Sequence, residues 1–197
     1  MNDGKPKGLD SEILRKLFLD IGRRMADRGS VAEIALYGGS AIVLTIGGRD
    51  STHDVDFVGV AGDTDALLKV TSEIASEKGL PSDWFNDAVR LVASPTPDYS
   101  LFGDFPQERT GLRVFTATPS YLLSMKLLKM RSALESHDVE DVWNLLDHCG
   151  VVSVKDAEKY IAAFFPGDRI PERNAAILED ILAAKANGQS YDPMIGW

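Results

Sequence analysis

The chain of 197 residues is 44% hydrophobic and 26% charged, a balance that is average for soluble globular proteins and excludes a largely disordered chain. No apolar run approaches the roughly 18 residues that a membrane span needs, so we expect no membrane partner. The polar start has no signal-peptide core, and the single cysteine, Cys149, excludes an internal disulfide and a cysteine-based zinc cluster. These features predict a cytoplasmic protein.

The chain is acidic, with 21 Lys and Arg against 30 Asp and Glu and a net charge of −9. Non-specific nucleic-acid binding depends on many contacts between basic side chains and phosphates, so a broad surface of that kind is excluded. Basic residues are nevertheless concentrated in residues 1–28 and in the short run Lys126, Lys129 and Arg131. A local contact with a nucleic acid therefore stays open.

Helix and strand patterns alternate over the first part of the chain. Apolar residues at helical spacing, followed by Gly29, predict a first helix, and short apolar or alternating runs predict strands. The predicted elements are a helix at 11–28, a strand at 32–37, a helix at 40–46, a strand at 53–60 and a helix at 64–78.

The stretch from residue 81 to 111 is typical of loops, since it contains several prolines. Within it only residues 88–92 favour a strand, and residues 112–117 follow as another strand candidate. From Thr118-Pro119 onward the period is helical, because proline suits the first position of a helix. Four helices are predicted, at 119–132, 137–148, 153–165 and 172–186. The predicted fold class is α+β, with a small mixed β-sheet core at 1–117 and an α-helical region at 118–197.

Two carboxylates suggest a metal site. Asp54 and Asp56 lie two apart on a predicted strand, and the period of two places both on one face. Like charges this close need a cation, and Mg²⁺ commonly takes one or two carboxylates, completing its shell with water and substrate phosphates. The alternative is a pair of solvated acids on an edge strand.

A glycine pair precedes these carboxylates. In Leu36-Tyr37-Gly38-Gly39-Ser40 a predicted strand ends at two glycines, and Ser40 begins a helix. Glycines let the backbone approach a phosphate, and the N–H groups at a helix start attract anions. Taken alone this is also the composition of an ordinary strand-to-helix turn.

Together the two motifs resemble the nucleotidyltransferase superfamily that shares its fold with DNA polymerase β. That family has an apolar residue and Gly-[Gly/Ser] before a helix, then Asp-apolar-Asp on the next strand. Tyr37-Gly38-Gly39-Ser40 and Asp54-Val55-Asp56-Phe57 match this pattern. Asp87 is a candidate for the third carboxylate of many members, although it precedes its predicted strand.

The helical half resembles the branch of abortive-infection AbiEii and MenA-type toxins and their bacterial relatives. Lys126 lies in a helix matching that branch's lysine pattern, and Arg131 with Asp138 and Asp141 resembles its later Arg–Asp–Asp segment, with a longer insertion after the arginine. The bland alternatives are a lysine at the edge of an apolar stripe and an Asp138 that caps its helix. We expect loss of Lys126 to cost little stability, because a lysine at such an edge contributes mainly its stem.

The resemblance implies transfer of a nucleoside monophosphate from an NTP to an acceptor hydroxyl. Asp54 and Asp56 would hold Mg²⁺, and Gly38, Gly39 and Ser40 would bind phosphates. Lys126 would contact the triphosphate and Asp138 would orient it or the acceptor, so the helical region completes the site. The toxin branch implies a tRNA end or another RNA as acceptor and a cognate antitoxin protein as partner. A small-molecule acceptor and a non-catalytic, partner-binding relative are the alternatives.

Overall fold

The computed structural model describes residues 8–131 and 136–193. Their contacts divide the chain into two compact units, which we call the sheet unit and the helical unit. The sheet unit holds the chain up to residue 92 and residues 99–117, and the helical unit holds residues 93–98 and the chain from 118 onward. The α+β class predicted from the sequence is confirmed.

In the described part of the sheet unit, three α-helices, five strands and a short 3-10 helix alternate. In chain order these are α1 (Ser11–Asp27), β1 (Ala32–Leu36), α2 (Gly38–Thr45), β2 (Val55–Gly62), α3 (Thr64–Lys78), β3 (Phe85–Asn86), the 3-10 helix (Ala88–Leu91), β4 (Tyr99–Phe105) and β5 (Leu112–Ala117).

The five strands form one mixed sheet in the order β3-β2-β1-β5-β4, with β1 at its centre. β1 is antiparallel to β2 and parallel to β5, while β3 is parallel to β2 and β4 is antiparallel to β5. Leu36 pairs with Phe57, so the end of β1 lies beside the start of β2. These two strands are therefore neighbours in the sheet.

The first helix forms where its sequence pattern places it. Asp10 caps α1 by accepting a hydrogen bond from the Ile13 N–H at 2.8 Å. Its apolar stripe is buried, including Leu14, Phe18 and Ile21, none of which is exposed to solvent. Burying such a stripe is the main source of stability for a helix of this length.

Between residues 81 and 111 the structure corrects the sequence prediction. The strand predicted at 88–92 is wrong: Ala88–Leu91 form a 3-10 helix in which no residue is buried. Two strands were not predicted, β3 at Phe85–Asn86 and the longer β4 at Tyr99–Phe105. β4 contains Gly103 and a register shift beside it, so its pattern does not alternate cleanly, and its pairing with β5 decides its conformation.

The helical unit contains α4 (Pro119–Lys129), α5 (Asp138–Cys149), α6 (Val154–Phe164) and α7 (Glu172–Ala186). Each begins at the predicted residue or one residue later, and Ser153 caps α6 by accepting from the Asp156 N–H at 3.2 Å. The predicted end of the first of these helices, at residue 132, lies outside the described residues. No helix in the described ranges is both long and apolar enough to cross a bilayer.

A short segment, Ala93–Asp98, belongs to the helical unit although the chain on both sides of it belongs to the sheet unit. The Ser94 N–H donates to the Tyr121 hydroxyl at 2.7 Å, and the Ser94 hydroxyl donates to the Phe164 carbonyl. These contacts join the segment to α4 and to the end of α6.

Candidate functional site

The glycine pair lies in the first turn of α2. The structure starts this helix at Gly38, two residues before the predicted start at Ser40, with Tyr37 as the preceding cap residue. Gly38 has a φ of +55°, and a Cβ at this position would lie 2.4 Å from Asp56 Oδ2. Only glycine combines this backbone conformation with so close an approach to the carboxylate.

The carboxylate pair lies at the start of β2. Val55 and Phe57 point into the core and are not exposed, whereas Asp54 and Asp56, which alternate with them, are half-buried. The Tyr37 N–H donates to the Asp56 carbonyl at 2.9 Å, which holds the end of β1 against Asp56. The glycine turn and the second aspartate are therefore in direct contact.

The Ser40 hydroxyl is turned inward. Ser40 is 1% exposed, and its hydroxyl donates to the Tyr37 carbonyl at 2.9 Å. The side chain thus closes the first turn of the helix. Because the first N–H groups of a helix have no acceptor within it, those of Gly38, Gly39 and Ser40 are the groups of this turn that suit an anion.

The loop between α2 and β2 brings two residues to this turn that the sequence analysis missed. A Cβ at Gly39 would lie 2.6 Å from Thr52 Oγ1 and 2.8 Å from Arg49 Cζ, so both side chains pack against Gly39. The Thr52 hydroxyl also donates to Asp54 Oδ1 at 3.3 Å. No pattern in the sequence identifies Arg49 or Thr52, because nothing in a polar loop indicates which of its side chains packs against the turn.

In the helical unit, a second group of charged residues forms what we call the ionic cluster: Lys126, Arg131, Asp138 and Asp141. The Lys126 ammonium lies 2.5 Å from Asp138 Oδ1 and 2.8 Å from Asp141 Oδ2. Arg131 donates its backbone N–H and its Nε–H to Asp138 Oδ2, each at 3.0 Å. The side chains of Asp138 and Asp141 are 6% and 0% exposed, so both carboxylates are shielded from water, whereas the Arg131 side chain is largely exposed.

The partners of Asp138 stabilise its ionised form. Burial alone raises the pKa of this carboxyl, but the Lys126 ammonium and the hydrogen bonds from Arg131 and Lys126 outweigh burial and lower the pKa below its usual value. Asp138 is therefore ionised at neutral pH. Its side chain caps no helix N–H, since α5 has no side-chain cap and the Asp138 carboxylate is directed to α4 and Arg131 instead.

The expectation that Lys126 is a weakly held residue at the edge of a stripe is wrong, since its side chain is only 14% exposed and contacts two carboxylates. Removing it would leave both carboxylates buried without their ammonium partner. Asp138 and Lys126 are thus brought together within the helical unit, as Gly38, Gly39 and Asp56 are within the sheet unit. A cleft shared by all of these residues stays a prediction.

Asp87, the candidate third carboxylate, follows β3 instead of preceding its strand, and its carboxylate lies 3.5 Å from Arg90 Nε. Over residues 8–131 and 136–193, no three or more His, Cys, Asp and Glu side chains are grouped as a metal site. A metal at β2 would therefore rely on two carboxylates and on oxygen atoms from its substrate.

Comparisons with protein-family models, with curated proteins and with solved structures found no match for this chain.

Proposed function

We propose that this protein is a metal-dependent nucleotidyltransferase that moves a nucleoside monophosphate from an NTP to an acceptor hydroxyl. The observation that carries the proposal is the contact between Gly38, in the first turn of α2, and the Asp56 carboxylate. A phosphate-binding turn and a metal-binding carboxylate that share one substrate must be neighbours, and an ordinary strand-to-helix turn has no need of this contact.

The residues present suit Mg²⁺. Asp54, directly before β2, and Asp56, within it, would supply two carboxylates, and the absence of a Cβ at Gly38 lets Asp56 Oδ2 lie against the glycine turn. When bound, Mg²⁺ would lower the pKa of the acceptor hydroxyl and offset the charge of the leaving pyrophosphate. Two carboxylates plus phosphate oxygens are a usual ligand set for this ion.

The chain itself would position the NTP. The N–H groups of Gly38, Gly39 and Ser40 would donate to phosphate oxygens, with the positive end of α2 directed at the anion. The acceptor oxygen would form a bond to the α-phosphorus while the bond from that phosphorus to the bridging oxygen breaks, releasing pyrophosphate. Positioning and electrostatic stabilisation supply most of the catalysis in reactions of this kind.

Lys126 and Asp138 enter the proposal through the sequence resemblance. An ammonium has three N–H donors, and Asp138 and Asp141 accept two of them, which leaves one donor for a phosphate oxygen. The two aspartates would then fix the position of the ammonium while Arg131 holds Asp138 in place. In this role Asp138 positions Lys126 for the triphosphate.

For the acceptor we propose an RNA, a tRNA end in particular, with a cognate antitoxin protein as partner and the cytoplasm as the place of action. The acidic composition requires that the RNA be bound locally instead of along a broad basic face. A small-molecule acceptor is the alternative within the same chemistry.

The deciding experiment incubates the protein with each labelled NTP, Mg²⁺ and total tRNA, and then separates RNA, protein and small molecules. We expect label on RNA, and none when Asp54 and Asp56 are both replaced by asparagine. Label on a small molecule would correct the acceptor. Unchanged NTP under all conditions would overturn the enzymatic proposal and favour a non-catalytic protein that binds a partner.

A further inference from the structure

Arg49 lies in the loop that joins α2 to β2, and its guanidinium packs against the first turn of α2. Atoms Cζ and Nη2 lie 2.8 and 2.9 Å from the position that a Cβ on Gly39 would occupy. The Nε–H donates to the Ser51 carbonyl at 2.9 Å, which anchors the side chain within its own loop.

The loop that carries Arg49 is held in place on both sides. Leu9 and Thr52 exchange two backbone hydrogen bonds, at 2.7 and 3.0 Å, and form an isolated antiparallel bridge. The Thr52 hydroxyl contacts Asp54, so the same loop also positions the first carboxylate. Arg49 is therefore carried by a fixed segment and is partly shielded from water.

The electrostatics of this location are unusual for an arginine. The start of a helix is its positive end and favours anions, so a guanidinium against the first turn of α2 gains nothing from the helix. The carboxylates at the start of β2 offset part of this unfavourable interaction between the guanidinium and the helix end. A metal ion bound to those carboxylates would reverse the local charge. With such an ion bound, the helix end, the guanidinium and the metal would together favour a polyanion.

We infer that Arg49 is a phosphate-binding residue of the nucleotide site, an inference that rests on the function proposed above. Its planar guanidinium presents paired N–H donors that match two oxygens of a phosphate group, which an ammonium cannot do. The ligand class is a polyphosphate chain carried with a divalent cation. Arg49 keeps its proton throughout and acts by donating hydrogen bonds and by offsetting the negative charge of the phosphates.

The test measures binding of inorganic tripolyphosphate in the presence of Mg²⁺ by titration calorimetry on the full chain. Tripolyphosphate probes the phosphate site without a base or sugar. The variants are Arg49→Gln and Arg49→Lys, and the control is Arg23→Gln, which removes the same charge from an exposed position on α1. Circular dichroism is used to confirm that wild type and all variants are compared at equal folded fractions.

We expect Arg49→Gln to raise the Kd about tenfold or more, Arg49→Lys to raise it several-fold, and Arg23→Gln to leave it unchanged. The difference between wild type and Arg49→Gln should narrow as salt is raised, because ions screen the contact, whereas a purely structural role would not respond in this way.

Equal binding by Arg49→Gln and wild type would overturn the role of Arg49 and leave the proposed function standing. If the wild type itself does not bind tripolyphosphate with Mg²⁺, the proposed function is wrong and the role of Arg49 with it. If Arg49→Gln does not fold, the test relies on Arg49→Lys. Tripolyphosphate binding by Arg49→Lys that equals wild type would then count against the inference.

Discussion

At the scale of single residues, Gly38 has two properties that a substitution can separate. Its φ is +55°, which strains any other residue, and its missing Cβ leaves room for the Asp56 carboxylate. Gly47 provides a matched control, since its φ is +79° and a Cβ there would meet no atom within 4 Å. Alanine at either position carries a similar backbone strain, of about 1–2 kcal/mol.

We predict that Gly38→Ala and Gly47→Ala lose similar free energies of unfolding in urea, because the tip of the Asp56 side chain can rotate away from an added methyl group. Gly38→Ala should nevertheless lose binding of Mg²⁺ with tripolyphosphate, since that rotation displaces a ligand oxygen, and Gly47→Ala should retain it. Comparable binding by both variants would argue that the contact between Gly38 and Asp56 has no role in the site.

The lowered pKa of Asp138 predicts a pH dependence of stability. In the folded protein this pKa lies below its unfolded value, so the carboxylate contributes stability above about pH 4 and the contribution disappears as the pH falls through the folded pKa. Asp138→Asn should therefore lower the free energy of unfolding near pH 7 and approach wild type at acid pH. Denaturant titrations at pH 7 and at successively lower pH values measure the difference, which should begin to narrow below about pH 4.

The control for this prediction is Asp147→Asn, because Asp147 is paired with Lys185 but its side chain is 70% exposed. A carboxylate that stays this exposed is well solvated with or without its partner, so this variant should stay near wild type at neutral and at acid pH. If the deficit of Asp138→Asn were as large at acid pH as at neutral pH, the loss would come from packing and not from the charge of Asp138.

At the scale of elements, the ionic cluster joins α4 to α5 through Lys126. We predict that Lys126→Met lowers the free energy of unfolding by about 3–5 kcal/mol, because two carboxylates stay buried without their ammonium partner. Adding Asp138→Asn and Asp141→Asn to Lys126→Met should recover much of the loss. Urea unfolding of the single and triple variants gives both numbers.

Lys159→Met is the comparison for an ordinary surface pair. Lys159 contacts Asp156 at 2.7 Å with its side chain 69% exposed, so its loss should be under about 1 kcal/mol. A similar small loss for Lys126→Met would contradict the buried pairing. Because Lys126 has this structural role, a loss of nucleotide transfer in a Lys126 variant is informative only when the variant and wild type are compared at the same folded fraction.

At the scale of the whole molecule, ligand binding should appear as resistance to unfolding. A ligand that binds only the folded protein stabilises it by about 2.7 kcal/mol at a hundredfold excess over its Kd, which raises the melting temperature of a chain this size by several degrees. We predict such a shift for wild type with Mg²⁺ and NTP together, and none for Asp54→Asn. Calorimetric melting curves with and without both ligands measure it.

Asp54→Asn should melt at or slightly above the wild-type temperature without ligands, because it removes one of two neighbouring carboxylates and keeps an oxygen that accepts from Thr52. Asp65→Asn, which removes a charge from an exposed position on α3, should keep the ligand-dependent shift. The absence of any shift in wild type would favour the non-catalytic, partner-binding alternative.

Much of the helical unit follows from local signals. Pro119 and Ser153 mark the starts of α4 and α6, and apolar residues at helical spacing define the buried faces, so α4–α7 begin where the sequence places them. The adjacency of Gly38 and Asp56 is also predictable, because a strand, a short helix and a returning strand bring their ends together. β4 is not predictable in this way, since its seven residues acquire strand structure by pairing with β5.

What the sequence by itself determined is thus the fold class, the helices of the second half and the two motifs around Gly38 and Asp54, since each depends on residues close together in the chain. The tertiary structure alone decided that Arg49 packs on Gly39 and that Lys126 lies between Asp138 and Asp141. Both facts concern which residues a charged side chain meets after folding. Hydrophobic spacing specifies which face of an element is buried, but it carries no information on which polar side chains are brought together there.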